Sequence, residues 1–404
     1  MPDATPYEIF KELFPDEAIE LLVLETNRYA TQYLVSQGGK DNLSPFARAK
    51  QWPDAGITEP DMRAFIAVLL YMGMVRLPTY EMYWSNNEFL QLGMKKIMGR
   101  DKFQLILRFF HCADNTKQLR RDHPSYDRLY KCREITDICI AAWQLAYELG
   151  KEMSADETII GFSGTSCLVT YHPDKPHKFG LTVWSLADPA TGYVYNWNFY
   201  GGKKTTPDPR TLNKDGRGAV HWVTWDLVES AGLFGKGHHL YMDNYFSSLT
   251  LYEDLAKEGT GACGTLRRNR IGTPDVIKQA ANSKTDPAVV ANSGRSLSWM
   301  DRNRVNLIST VHNTTTFQKR TRCGKDPTGW ILREKPMAVE MYTKHMRGVD
   351  LADQALWYSL NVHKSMKWWK KVVFGCLEVC FTNALAIYRL YHPPTSASTE
   401  TSSG

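Results

Sequence analysis

The spacing of apolar residues changes once along this chain, near residue 153, and that change limits the fold more than any composition figure does. Before it the spacing is three and four. In "YEIFKELFPDEAIELLVLETNRYATQYLV" (7–35), Phe10, Leu13 and Phe14 are followed by Ile19, Leu22 and Val23, the pattern of helices that bury one face. Pro15 interrupts the run and suits the first turn of a second helix. "TEPDMRAFIAVLLYMGMV" opens with Thr58 three residues before Asp61, a capping-box spacing with Asp in place of Glu, and it is apolar nearly all round, as a buried helix is. "RDKFQLILRFFHCADN" (100–115) and "YKCREITDICIAAWQLAYELG" (130–150) continue this all-helical part.

From Ser154 the apolar residues alternate instead. "ADETIIGF", "KFGLTVWSLADP" and "TGYVYNWNFYGGK" are rich in β-branched and aromatic residues and are separated by "HPDKPH" and "DPATG", which have turn composition. Three successive strands are expected. A helix over 219–234, a short strand ending at Asp243, a helix in "SLTLYEDLAKEG" and a strand in "GACGTL" (261–266) follow, giving the order βββαβαβ of a mixed α/β fold. Residues 264–335 hold strand-like stretches such as "VNLIST", and two helices are expected in "HMRGVDLADQALWYSL" and "MKWWKKVVFGCLEVCFTNALAIYRLYH". The tail "PPTSASTETSSG" has the composition of a disordered end.

A chain of 404 residues is expected to form about two or three domains. Its longest apolar run, "AFIAVLLYMGMV" (64–75), is shorter than the roughly 20 residues that span a bilayer. The opening "MPDATPYEIF" has neither a basic leader nor a long apolar core, so an intracellular protein with no membrane contact is expected. The eight cysteines, at 112, 132, 139, 167, 263, 323, 376 and 380, hold no paired C-x-x-C pattern, so reduced thiols buried in cores are expected. Cys376 and Cys380 could present two ligands from one helix face, but no further His or Cys pair completes a zinc site.

The net charge of +6 is modest, but between Gly264 and Lys335 there are 14 Lys and Arg against 5 Asp and Glu. That segment opens with "LRRNR", so Arg267, Arg268 and Arg270 are candidate contacts to a polyanion. Lys364, Lys367 and Lys371 share one face of the last helix and are candidates for phosphate binding. For both groups a solvated basic face is the alternative.

Asp243 follows the apolar run "HLYM" directly, so it stands at the end of a strand, where sites form. It could equally cap the following helix. Asp156 lies on the first strand, and Asp350 and Asp353 are three apart on one helix face. Strands one and four can lie side by side, and a later helix could add its acidic face at the same place. Carboxylates that close repel one another and raise one another's pKa unless a cation joins them. Magnesium, hard and octahedral, suits carboxylate oxygens and leaves positions for phosphate oxygens. Two such ions about 3.5–4 Å apart support in-line phosphoryl transfer.

The stretches "MSADETIIGFSG", "HKFGLTVWSLADPATGYVYNWNFYGGK", "YMDNYFSS" and "MRGVDLADQ", in this order, resemble the piggyBac transposase family. So do "ETNRYA", "RAFIAVLLYMGMVRLP", "YWSNN" and "RFFHCADN" in the helical part. The resemblance runs from about residue 7 to 392. It implies an α/β protein with an RNase H-like catalytic core and a β-rich insertion, flanked by an all-helical dimerisation and DNA-binding domain. On this chain the helical domain would take 1–152 and 361–392 and the catalytic core 153–263, with 336–360 as its closing helix. The basic insertion would take 264–335, and 393–404 would be the tail.

By the same resemblance Asp156, Asp243 and Asp350 match the three catalytic, metal-binding aspartates, and Asp353 matches a fourth acid beside them. Trp368 matches a functionally important tryptophan, with Trp369 leaving the register open by one. The cofactor implied is a pair of Mg2+ ions, with Mn2+ able to substitute. The partner is double-stranded DNA, both the transposon ends and a TTAA target. A strand nick would expose a 3′-hydroxyl, which forms a hairpin on the element and then attacks the target. A homodimer in the nucleus is expected.

Two departures bear on this. "FSGT" stands where family members carry "FKGR", so Ser163 and Thr165 replace two basic residues, each cation worth about 1 kcal/mol to phosphate binding. The family's Cys-rich zinc-binding domain and acidic leading segment have no counterpart in these residues. The alternative expectation is therefore a domesticated, host-retained protein that binds DNA or chromatin without strand transfer.

Overall fold

Capping boxes close the starts of two early helices in a computed structural model of the chain: Thr5 with Glu8 at α1 (Pro6–Leu13), and Thr58 with Asp61 at α3 (Glu59–Met74). Each box satisfies backbone N–H groups that the first turn leaves without partners. Pro15 stands at the N-cap of α2 (Asp16–Ser36), one position ahead of the first turn. The structure describes residues 3–90, 92–173, 175, 177–202, 217–280, 289–291, 295–300, 303–322, 328–359 and 365–393. The chain divides into two units, Met1–Tyr147 with Leu356–Gly404, and Glu148–Ala355. Lys364, and the tail beyond Pro393, lie outside the described residues.

The first unit is helical. It contains α1 to α3, α4 (Met94–Ile97), α5 (Arg100–Phe109), α6 (Tyr130–Ala146) and, from the far end of the chain, α12 (Trp368–Tyr391). By length and composition α12 could cross a bilayer, yet 67% of its apolar window is buried. It packs against α1 and α6 as a core helix. The Trp143 indole N–H donates to Cys380 Sγ at 3.2 Å, and the Cys380 thiol donates to the Leu13 carbonyl at 3.2 Å. Cys376 and Cys380 are therefore core residues. An aromatic layer joins α3 to α5: the Phe65 ring lies 5.1 Å from that of Phe103 and 5.6 Å from that of Phe110.

The second unit is built on one sheet. Its strands are β1 (Glu152–Gly161), β2 (Val169–Tyr171), β3 (Phe179–Ala187), β4 (Val194–Phe199), β5 (His239–Met242) and β6 (Gly261–Thr265), then β7 (Val289–Ala291), β8 (Ser296–Met300) and β9 (Arg304–Ser309). The order is β2-β3-β1-β5-β6-β9-β8-β7, with β4 also paired to β3. β1, β3 and β4 are antiparallel neighbours, whereas β5 and β6 run parallel to β1. Parallel neighbours need crossovers, which α7 (Ala219–Glu229) and α8 (Leu249–Lys257) supply. With both faces covered, Leu240, Tyr241 and Met242 of β5 are fully buried. This is the RNase H-like arrangement.

The helix expected over 219–234 ends at Glu229, because the chain turns at Gly232 with φ 62°. After α9 (Asp275–Gln279) the basic segment divides. β9 pairs with β6 and so continues the main sheet, and Leu297 and Leu307 pack with Tyr241, Cys263, Ala338 and Val339. The rest is a two-stranded ribbon, β10 (Thr316–Arg322) with β11 (Trp330–Pro336), followed by α10 (Met337–His345) and α11 (Gly348–Ser359). Several of its cations are already engaged. Arg320 and Arg322 lie over the Trp330 ring at 4.7 and 5.4 Å, and Lys319 and Lys335 pair with Glu340. Six cysteines are buried as expected, but Cys167 is exposed, since it sits in the link between β1 and β2 where no layer covers it. Cys323 lies outside the described residues.

Candidate active site

The register of the parallel pair brings the first two carboxylates together. Ala155 is opposite Met242, so Asp156 and Asp243 stand one position further along neighbouring strands. Asp243 does not cap α8, whose N-cap is Ser248, accepting from the Leu251 N–H. Asp243 instead folds the chain back: its Oδ1 accepts the Tyr245 N–H at 2.8 Å, and its carbonyl accepts the Ser247 hydroxyl at 2.8 Å. Gly264 on β6 permits this turn, because a Cβ there would lie 2.3 Å from the Met242 carbonyl oxygen and 2.7 Å from Ser247 Oγ.

α11 carries the other two acids, and small polar groups fix it to β1. A Cβ on Gly348 would lie 2.3 Å from Ser154 Oγ and 3.0 Å from the Pro189 backbone. Glycine therefore lets the helix start close enough for the Val349 N–H to donate to Ser154 Oγ at 3.2 Å. One turn later Asp353 Oδ1 accepts the Thr158 hydroxyl at 2.8 Å, and Thr158 Oγ1 in turn accepts from Ser185 at 2.8 Å. Asp350 is exposed in the first turn of α11, where the helix dipole favours a negative charge.

The electrostatics reflect this crowding. Burial pushes the Asp156 carboxyl up to about 7, with Asp243 and Asp350 adding to the rise, against the Glu157 N–H bond and Lys175. Burial likewise raises Asp353 to about 6, with Asp350 adding and the Thr158 bond and Lys175 opposing. Glu157 is also raised, again chiefly by burial. Hard carboxylate oxygens under mutual repulsion are the donor type that a divalent cation relieves. Among the described residues, however, no three His, Cys, Asp or Glu groups lie close enough as they stand to hold one ion. The acids share a neighbourhood without forming a closed cage.

Two residues of this neighbourhood escape the sequence reading. Glu157 is overshadowed by the aspartate before it. Lys175 lies in "HPDKPH", whose proline and aspartate signal only a turn. Its Nζ donates to the Glu157 carbonyl at 3.2 Å. The basic candidates serve differing ends. Arg270 donates to the carbonyls of Ser247, Asn244 and Tyr245 and so braces the loop after Asp243. Arg268 donates to the Ala280 carbonyl, and the exposed Arg267 to the Asn244 side chain.

In the helical unit, Lys367 is the exposed N-cap of α12 and Lys371 is half-buried. Trp368 is half-buried, whereas Trp369 is buried and stacked on Phe110. Lys370, absent from the sequence candidates, is buried and donates to the Leu107 carbonyl at 2.5 Å.

A family model described as Transposase IS4 matches residues 5–385. PiggyBac transposable element-derived proteins 3 and 2 of Homo sapiens are each 23% identical over 96% of this chain. The chain belongs to the piggyBac transposase family. It spans 62% of the length of those two piggyBac relatives. Human PiggyBac transposable element-derived protein 5 is 22% identical over 97% of this chain and 72% of its own length. The piggyBac fold is matched directly by a cryo-EM structure of the piggyBac transposase synaptic complex with hairpin DNA. The TM-score is 0.77 and the identity 23%, over 96% of this chain and 75% of that one. The DDE-type transposase family generally uses divalent metal ions.

Proposed function

We propose that this protein is a DNA transposase of the piggyBac type, which nicks DNA, forms a hairpin on the element and joins it to TTAA targets by phosphoryl transfer. The observation that carries the reading is the parallel pairing of the interior strands β1 and β5, which sets Asp156 and Asp243 on neighbouring strands, with Asp243 and Asp350 both raising the pKa of Asp156. Asp156, Asp243 and Asp350, with Asp353 beside them, would hold divalent magnesium, two ions, with manganese able to replace it. The metal would activate the attacking water or 3′-hydroxyl and stabilise the leaving oxygen. The chain's own part is orientation: Ser154 and Thr158 hold α11, and Arg270 holds the Asp243 loop. Binding a cation drives the proton from Asp156, so metal affinity falls as pH drops below about 7. Double-stranded DNA as partner, a homodimer and residence in the nucleus belong to the same reading.

A nicking and strand-transfer assay in Mg2+, comparing the parent with Asp243→Asn, tests it. Metal-dependent cleavage by the parent and a loss of at least about 100-fold in the variant are expected. Cleavage that survives in Asp243→Asn, or a parent that cleaves nothing, contradicts the reading. The open arrangement of the acids favours a second reading, a domesticated protein that binds DNA or chromatin without strand transfer. Steeply salt-dependent DNA binding by both proteins with cleavage by neither would support it.

A further inference from the structure

Four carboxylates around β1, β5 and α11 attract cations but repel the phosphodiester on which the reaction would act, so the site needs a positive group of its own facing the DNA. The nearby cations differ in what they have left to give. Arg270 is engaged by three carbonyls of the Asp243 loop, and Arg267 by Asn244. The stretch "FSGTS" that follows β1 carries no charge. Lys175 is different. It sits half-buried on the turn between β2 and β3, with its backbone N–H donating to the His172 carbonyl at 3.3 Å. Its Nζ reaches the Glu157 carbonyl at 3.2 Å, beside Asp156 on β1. Its charge lowers the pKa values of Asp156, Glu157 and Asp353 against the burial that raises them. An ammonium has three donors, and that carbonyl takes one.

Extending the phosphoryl-transfer reading on which it rests, we propose that Lys175 is the phosphate-binding cation of this site. Before DNA arrives it partly neutralises Asp156 and Asp353. With DNA present it donates to a non-bridging oxygen of the scissile phosphodiester while its contact with the Glu157 carbonyl fixes its position. A lysine serves here as a point charge, which suits an oxygen whose position shifts as the bond breaks.

Two variants of the full chain, Lys175→Gln and Lys175→Arg, test this through four measurements: single-turnover nicking at saturating DNA, DNA affinity by titration, Mn2+ binding without DNA by electron paramagnetic resonance, and thermal unfolding. Lys175→Gln is expected to lower the nicking rate about 100-fold and to leave DNA affinity within about threefold, since one phosphate among many is lost. Mn2+ binding should be unchanged or tighter, because a competing cation has gone. Lys175→Arg should recover most of the rate.

Nicking by Lys175→Gln within about twofold of the parent overturns the proposal. So does a loss of Mn2+ binding that matches the loss of nicking, which would make Lys175 only a support for the carboxylates. Failure of Lys175→Arg to recover any rate, with its unfolding temperature unchanged, counts against a phosphate contact. An active parent with an indifferent Lys175→Gln removes this inference alone. A parent inert with both metals removes the phosphoryl-transfer reading and this inference together.

Discussion

Replacing Gly348 by alanine should displace α11 from β1, and the size of the effect can be worked out from its surroundings. The added Cβ would sit 2.3 Å from Ser154 Oγ and 3.0 Å from the Pro189 backbone. The serine can rotate, but the Pro189 backbone cannot yield as easily, so the helix start must retract. Overpacking of this kind costs about 1–3 kcal/mol. Retraction also lengthens the 3.2 Å bond from the Val349 N–H to Ser154 Oγ, worth about 1 kcal/mol. Gly348→Ala should therefore destabilise the protein by about 2–4 kcal/mol. Ser154→Ala alone should cost about 1 kcal/mol, through the lost bond. In the double variant the nearest clash is relieved and the bond is already gone, so the total should fall short of the sum by about 1 kcal/mol. Urea unfolding of the four proteins gives the cycle. Mn2+ titration shows whether Asp350 and Asp353 have moved, with weaker binding expected in Gly348→Ala. Additivity within about 0.5 kcal/mol, or a neutral Gly348→Ala, would refute the argument that this close approach positions the acids.

Asp156→Asn should raise the metal-free stability most at pH 8, less at pH 5, and leave it nearly unchanged at pH 3, below the ordinary carboxylate range. A carboxyl whose folded pKa is raised to about 7 favours the fold while protonated, fully below its ordinary value and progressively less as pH rises through 7. The difference in melting temperature between variant and parent in EDTA isolates this effect, and a difference independent of pH would contradict it. Arg270→Ala should cost about 1–3 kcal/mol, by leaving carbonyls of the Asp243 loop without their donor, and should speed hydrogen exchange at the Tyr245 N–H. Arg267→Ala should leave stability within about 0.5 kcal/mol and instead lower the salt dependence of DNA binding by about one charge. The reverse pattern would exchange their assignments.

The change of spacing near residue 153 was enough to place a helical part before a sheet, and βββαβαβ with crossing helices leaves few places for β5 other than beside β1. The adjacency of Asp156 and Asp243 was therefore legible. So was the Thr58 capping box, because both partners lie within one turn. What escaped has a common physical cause: its meaning depends on partners remote in sequence or on too few residues to show a period. β2 and β7 are three residues each. Ser154 and Thr158 look like ordinary strand residues, and only their bonds to Val349 and Asp353 across the fold give them a role. Lys175 belongs to a turn by composition and to the acids by geometry. The choice between Trp368 and Trp369 was open in a helix with apolar residues on most sides, and burial decides that Trp369 is the core residue.

The fold treats two kinds of polar group around β1 and α11 in opposite ways. Neutral groups are matched: Ser154 with Val349, Ser185 with Thr158 and Thr158 with Asp353, all within 3.2 Å. The acids are not matched by charge to the same degree, and burial and one another's fields push Asp156 and Asp353 well above the ordinary carboxylate range. An asparagine at 156 would remove that repulsion and an apolar residue at 353 that burial penalty, so stability alone gives no reason for carboxylates at these positions. The matched groups hold the unmatched ones in one neighbourhood, which makes the site responsive to whatever positive charge enters it. Lys175 answers part of that demand from within the chain, and the remainder is the electrostatic free energy available to bind a divalent cation.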